Sequence, residues 1–216
     1  GGFSWQKSTD TMSSTAFEGN GVTHPYGQIA LDHGLSDFDR AARFVASFNY
    51  ELPYSAGKSL SRYVLGGWQT NGIVTIQSGG PMTFASGIDN SLSGIGADRA
   101  DIIGNPVTSG DRSKSAMIAR YFNTDAFAIN ALGTFGNLGR GTMRGPGQSN
   151  VDFSLFKKFA MPYKESHNLE FRVEAFNILN HANLGNPSTN RSSVQFGRIV
   201  TAADPRIMQM GIRYGF

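Results

Sequence analysis

From Met208 to Phe216 the chain alternates without a break. Met208, Met210, Ile212, Tyr214 and Phe216 hold the even positions, Gln209, Gly211, Arg213 and Gly215 the odd ones. Successive side chains of a β-strand point to opposite faces, so the strip predicts a strand with one apolar face and one polar or small face. Five earlier segments carry the same period. Phe3 and Trp5 oppose Ser4 and Gln6 within Gly2 to Ser8. "RFVASFNYELPY" sets Phe44, Ala46, Phe48, Tyr50 and Leu52 against Arg43, Ser47, Asn49 and Glu51. "WQTNGIVTIQ" sets Trp68, Thr70, Val74 and Ile76 against Gln69, Asn71, Thr75 and Gln77. "VDFSLFKKF" alternates Val151, Phe153 and Leu155 with Asp152 and Ser154, and "LEFRVEAFNIL" alternates Leu169, Phe171, Val173 and Ala175 with Glu170, Arg172 and Glu174. The last of these shifts phase near Phe176, as a β-bulge would make it do.

The connections between the six strands alternate in length. "SAGKSLSRYVLGG" and "MPYKESHN" are short, whereas residues 10–37, 79–149 and 181–204 form long connections. Strands running up and down in sequence put all the long loops on one side and both short turns on the other. Long loops in compact soluble domains are uncommon, and the asymmetry is the layout of outer-membrane β-barrels. The strands are about 9 to 12 residues, the length that a tilted transmembrane strand requires. The predicted fold class is therefore all-β, an antiparallel up-and-down transmembrane barrel segment of about six strands, with residues 10–37, 79–149 and 181–204 on the cell surface. In a wide barrel the apolar face meets lipid and the polar face lines a wet lumen. Gln69, Asn71, Gln77, Glu170, Arg172, Glu174, Gln209 and Arg213 are the predicted lumen-facing residues. Trp5, Tyr50, Tyr54, Trp68, Tyr163 and Tyr214 fall near strand ends, where an interfacial girdle places amphipathic rings. The alternative is a soluble or cell-surface β-sandwich module binding carbohydrate or serving adhesion, since one solvated face gives the same alternation.

Composition narrows the choice. The 27 Gly, 16 Phe and 7 Tyr favour strands and turns over helices. A net charge of +3, with Lys and Arg scattered singly, does not suggest nucleic-acid binding. The absence of cysteine removes disulfide frameworks, thiolate metal sites and Cys nucleophiles. No apolar run approaches the roughly 20 residues of a membrane helix. The sequence opens in "GGFSWQKSTD", already alternating, with no initiator Met, basic n-region or apolar h-region, and is expected to be the C-terminal piece of a longer protein.

Several blocks are familiar as a set. "LGGWQTNGIVTIQSGGPMTF", "GADRADIIGNP", "YFNTDAFAINALGTFGNLGRGTMRGPGQSNVDFSLFKKF" and the tail "EFRVEAFNILNHANLGNP... FGRIVTAADPRIMQMGIRYGF" resemble the C-terminal end of TonB-dependent outer-membrane receptors. Within these, the chain is most similar to the Oar-like group, which carries a carboxypeptidase-regulatory-like N-terminal domain. The likeness runs from Ser36 to Phe216. It implies a bacterial outer-membrane location and residues 1–216 as the C-terminal part of a larger barrel. The plug, the TonB box and the remaining strands would lie upstream of Gly1. It also implies a transport and receptor role, with outer-membrane lipid, the barrel-assembly machinery, TonB through the N-terminal part, and a substrate as partners. Outer-membrane barrels end in an aromatic residue that the assembly machinery reads by edge pairing. The resemblance assigns that signal to Met210, Ile212, Tyr214 and Phe216. Unpaired edges at the first and last strands would make an isolated piece prone to association.

Other chemistry is faint. Asp89, Asp98 and Asp101 stand among glycines, and oxygen ligands on such a loop could suit Ca²⁺. The EF-hand spacing and its closing Glu are missing, and Asp in loops usually serves turns. Arg140 and Arg144 in "GNLGRGTMRGPG" lack the Lys-Ser/Thr of a phosphate loop. "SKSAMIARYF" predicts one short helix held by Met117, Ile118, Tyr121 and Phe122. His24, His33, His167 and His181 show no HExxH pairing, and no GxSxG elbow occurs. No enzyme activity, cofactor or catalytic residue is expected.

Overall fold

The computed structural model describes residues 1–11, 13, 29–53, 64–94, 98–111, 113–160 and 167–216. Tyr54, Tyr163, His24 and most of the two short connections lie outside these residues. The alternating segments form one antiparallel sheet from β1 (Gly2–Trp5), β4 (Ala42–Glu51), β5 (Trp68–Gln77), β10 (Gln148–Ala160), β11 (Asn168–Phe176) and β12 (Ile207–Gly215). The spatial order β1-β4-β5-β10-β11-β12 is the chain order, so the wall runs up and down with no crossover. Small two-stranded ribbons, β2 (Thr9–Asp10) with β3 (Gly34–Leu35), β6 (Pro81–Met82) with β9 (Met143–Arg144), and β7 (Asp101–Ile102) with β8 (Phe127–Ala128), lie in the long connections.

Register keeps the two faces continuous across the wall. Phe3 stands opposite Phe44, Phe44 opposite Ile76, Leu155 opposite Val173, and Val173 opposite Met210, all on the apolar side. Gly72 belongs to that side, and its missing side chain makes room for the Phe48 ring: a Cβ there would fall 2.7 Å from both Phe48 Cε1 and the Asp152 carbonyl. Among the described residues Ala175 is the one fully buried apolar side chain of the wall strands. Phe44, Phe48, Ile76, Met210 and Ile212 are exposed. A sandwich would bury this face against a second sheet. The single sheet with its apolar side uncovered sets the sandwich alternative aside.

The expected bulge near Phe176 is absent. β11 pairs with β12 in unbroken register from Asn168↔Gly215 to Phe176↔Ile207. The strand then ends because Asn177 adopts a left-handed conformation, φ 51°, which Asn tolerates better than most residues. The first strand is also shorter than predicted, closing at Trp5 rather than Ser8.

The described residues of the long connections are far more structured than their sequence suggests. Met82, Phe84, Ala100, Phe122, Ala126, Phe127, Leu138 and Phe196 form the hydrophobic core of the described chain, and all of them belong to loops or loop ribbons. Phe84 stacks on Phe127 at 4.4 Å between ring centroids and meets Phe122 edge-on at 5.0 Å. The predicted helix is α2 (Lys114–Ala119), capped at its start by the Ser113 hydroxyl, with Phe122 buried just beyond it; α1 is Ile29–Asp32. Charged groups are packed inside as pairs. Arg99 Nη2 donates to Asp32 Oδ1 at 2.9 Å with both side chains buried, Arg140 pairs with Asp10, and Arg144 pairs with the fully buried Asp39. Buried charges persist only when paired in this way.

Candidate functional site: the polar face and its rim

All eight residues predicted to face a lumen share one side of the sheet. Glu170, Arg172 and Glu174 on β11 stand opposite Arg213, Gly211 and Gln209 on β12. Arg172 bonds Glu170 at 2.9 Å and reaches Glu174 at 3.6 Å, while its guanidinium lies 5.0 Å over the Phe156 ring. Gln209 Nε2 donates to Glu174 Oε2, and Lys158 Nζ stands 3.7 Å from Glu170. Further along, Gln69 Nε2 donates to Glu51 Oε1 at 2.9 Å, Asn71 stands between Asn49 and Ser154, and Gln77 Nε2 donates to Gln148 Oε1 at 2.7 Å. Cross-strand pairing of opposite charges and amides is what a wet, unburied sheet face requires.

The opposite side carries Met210, Ile212, Tyr214 and Phe216. Tyr214 and Phe216 have ring centroids 6.3 Å apart, and Phe216 is 92% exposed. Tyr50, Trp68 and Tyr214 gather at the rim of the short turns, and Trp5 lies at the long-loop rim. Lys157 is an exception to the apolar pattern. Its amine turns to the short-turn rim, donating to the Val64 carbonyl at 2.8 Å and to that of Gly66, above Trp68 and Phe159. Lys157 is buried, so these carbonyls rather than water take the hydrogen bonds of its ammonium group.

At the long-loop rim the polar face holds a cavity of about 440 Å³. Its wall is Thr75, Gln77, Gln148, Asn150, Asp152 and Phe176 from the strands, closed by Asn177, Asn183 and residues 203–205 of the last loop with Ile207. Asp152 Oδ1 is held by Asn150 Nδ2 at 2.8 Å and by the Asn177 backbone N–H at 2.9 Å. Asn183 binds the backbone of Ser149 in both directions, and Asn177 Nδ2 donates to the His181 and Asp204 carbonyls. Of this group, sequence reasoning had placed Thr75, Gln77 and Asp152 on the polar face but had not joined them to the loop. The local signal was the phase shift at Phe176.

The aspartates singled out for Ca²⁺ serve the loop backbone. Asp89 accepts from the N–H of Ser93 and Gly94 and from the Ser91 hydroxyl, and the Gly94 bond is the main cause of its carboxyl lying below the ordinary range. Asp98 accepts from Ser91 N and Asn130 Nδ2, and Asp101 from Asn137 N. Among the described residues no three His, Asp or Glu side chains gather where they could share an ion. Arg140 and Arg144, rather than cradling phosphate, bind the loops to one another. Arg144 Nη1 donates to the Gly79 carbonyl, and Arg140 Nη2 to the Leu35 carbonyl and the Ser13 hydroxyl. Burial acts to raise the Asp39 carboxyl, but the bond from Arg144, the Ser8 N–H and the neighbouring Arg40 charge outweigh it and hold the group below its ordinary value.

Compared with protein families, residues 1–209 match the outer membrane beta barrel domain. No curated protein and no solved structure matches the chain. The match takes in the five earlier wall strands and enters β12, and it agrees with the uncovered apolar face, the strand order and the one-sided long loops. The chain belongs to the outer membrane β-barrel domain family, forms barrel wall, and is a protein of the outer membrane.

Proposed function

We propose that the chain is the C-terminal wall and surface-loop region of a TonB-dependent receptor of the Oar-like group, a non-enzymatic transporter that binds its substrate from outside. The observation that carries this reading is the ordered loop body standing beside a cavity on the polar face, at the rim where outer-membrane barrels turn their long loops outward. In a lipid-embedded barrel that face is the lumen. Gln69, Asn71, Gln77, Glu170, Arg172, Glu174, Gln209 and Arg213 then line the passage, while Met210, Ile212, Tyr214 and Phe216 meet lipid and present the assembly signal. The quoted sequence blocks support the TonB-dependent assignment, with coupling supplied by an N-terminal part of the full-length protein. The test is binding of the full-length protein, in detergent, to the purified periplasmic domain of TonB. Saturable binding that is lost when the residues preceding Gly1 are removed is the expected result; no binding by the intact protein overturns TonB dependence and leaves the barrel standing.

A further inference from the structure

We propose that the cavity at the long-loop rim binds a neutral, hydroxyl-rich ligand of saccharide type. The proposal rests on the receptor reading only in that the polar face must open to the barrel interior. Its volume of about 440 Å³ lies within the roughly 300–1,000 Å³ of small-ligand sites. The lining residues include no Lys, Arg or His, and they include the carboxylates of Asp152 and Asp204. An anionic ligand would meet like charge with nothing to neutralise it.

The hydrogen-bonding inventory then favours a ligand whose groups both donate and accept, as hydroxyls do. Asp152 Oδ1 is engaged by Asn150 and Asn177, which fixes the carboxylate and leaves Oδ2 for a ligand. Asn150 spends one amide N–H on Asp152 and keeps the other with its carbonyl oxygen; Gln77 spends one N–H on Gln148 and likewise keeps the other and its oxygen. With the Asp204 carboxylate this makes four acceptor groups, beside the second amide N–H of Asn150, Gln77 and Asn183, the Gln148 amide N–H groups and the Thr75 hydroxyl as remaining donors. A sugar presents several O–H donors on a rigid ring, and its C–H face needs an apolar plate. Phe176 and Ile207, directly paired across β11 and β12 and both exposed, provide that plate within the cavity lining. The site is also held in place before any ligand arrives, since Asn177 is tied to His181 and to the Asp204 carbonyl. Such preorganisation lowers the cost of binding.

The experiment is isothermal titration of the full-length protein in detergent with glucose, galactose, maltose, cellobiose and xylobiose, alongside choline, CaCl₂ and benzoate. At least one saccharide is expected to bind saturably, with affinity unchanged in high salt. Asp152→Asn, Asp204→Asn and Phe176→Ala should each weaken that binding about tenfold, the loss of one good polar or stacking contact of about 1.4 kcal/mol. Asn49→Ala, on the same face outside the cavity, should bind as wild type. Asp204 is an exposed loop residue, so its variant keeps the test open if Asp152→Asn does not fold. No saccharide binding by the folded wild type, wild-type binding by the folded cavity variants, or preference for choline, Ca²⁺ or benzoate overturns the proposal. Saccharide binding without affinity for the TonB domain would sink the TonB assignment and keep the site, and the reverse result would do the opposite.

Discussion

Replacing Phe84 by Ala should unlock the loop body and leave the wall intact. Phe84 is fully buried, stacked on Phe127 at 4.4 Å, edge-on to Phe122 at 5.0 Å and to Phe196 at 6.4 Å. Burial of a Phe side chain is worth about 1.5–3 kcal/mol, and the cavity left by truncation raises the cost of Phe→Ala to about 3–5 kcal/mol. At about 1.4 kcal/mol per decade, opening of the loop body should become roughly a thousandfold more frequent. The wall should not share that cost, because the core around Phe84 is built from loop residues alone. The assay is native-state trypsin cleavage after Arg99, whose side chain and following Ala100 are both buried in the closed loops. When closing is fast, cleavage there reports the open population. Migration of unheated protein in SDS gels reports the wall separately. Val194→Ala, at a side chain 95% exposed, should change neither readout. Cleavage of Phe84→Ala at the wild-type rate would refute the loop core, and loss of the folded gel form would refute its independence from the wall.

Four further perturbations probe the loop body, the wall and the terminal strand. Asp32→Ala removes the carboxylate that faces the buried Arg99 and should open the loops by about 3–5 kcal/mol, whereas Asp32→Leu with Arg99→Met, removing both charges, should cost less; trypsin cleavage after Arg140, buried in the same loops and present in both variants, reads the difference, and equal rates would speak against a buried pair. Asp39 has a folded pKa below its unfolded one, so its contribution is present above the unfolded value near pH 4 and is lost as pH falls through the folded value. Loop opening, read by pepsin, which unlike trypsin is active in acid, should rise below about pH 4, and less steeply in Asp39→Asn. Lys157→Met removes the amine that binds two carbonyls of the short-turn rim and should lower the urea midpoint of wall unfolding by the equivalent of about 1–3 kcal/mol; an unchanged midpoint would mean that those carbonyls find water instead. Deleting Phe216 from the full-length protein should reduce its yield in the outer membrane while the protein that does assemble binds ligand normally, and an unchanged yield would leave Phe216 without an assembly role.

The wall was legible because a half-solvated strand writes its period into the sequence. Leu155, Val173 and Met210 lie side by side in space and each sits at its own even step within its segment. The loop body has no such signature. Phe84, Phe122, Phe127 and Phe196 come from three aperiodic stretches, and the ribbon strand that carries Phe127 is two residues long. Arg99 and Asp32 are 67 positions apart, so no local pattern announces their pairing. Arg140 and Arg144 were visible as an unusual pair of cations among glycines, but their partners Asp10 and Asp39 come from a different connection.

One misread residue carries more information than the correctly read ones. Phe176 breaks the alternation of β11, and a bulge is the local device that would return it to the apolar side. The unbroken ladder leaves it on the polar side instead, opposite Ile207, with Asp152, Asn150 and Asn177 around the same cavity. An exposed aromatic on a wet face is a local rule broken without a compensating gain in packing, and such breaks concentrate where a protein meets its ligand. The same pattern elsewhere on this face is weaker: Ile73 is also apolar and exposed there, but it stands mid-wall between Ser47 and Asp152 and lies outside the cavity at the rim. The two positions make opposite predictions for the saccharide titration. Phe176→Ala should weaken binding and Ile73→Ala should not, so equal effects would mean that apolar residues on this face act through the wall and not through a site.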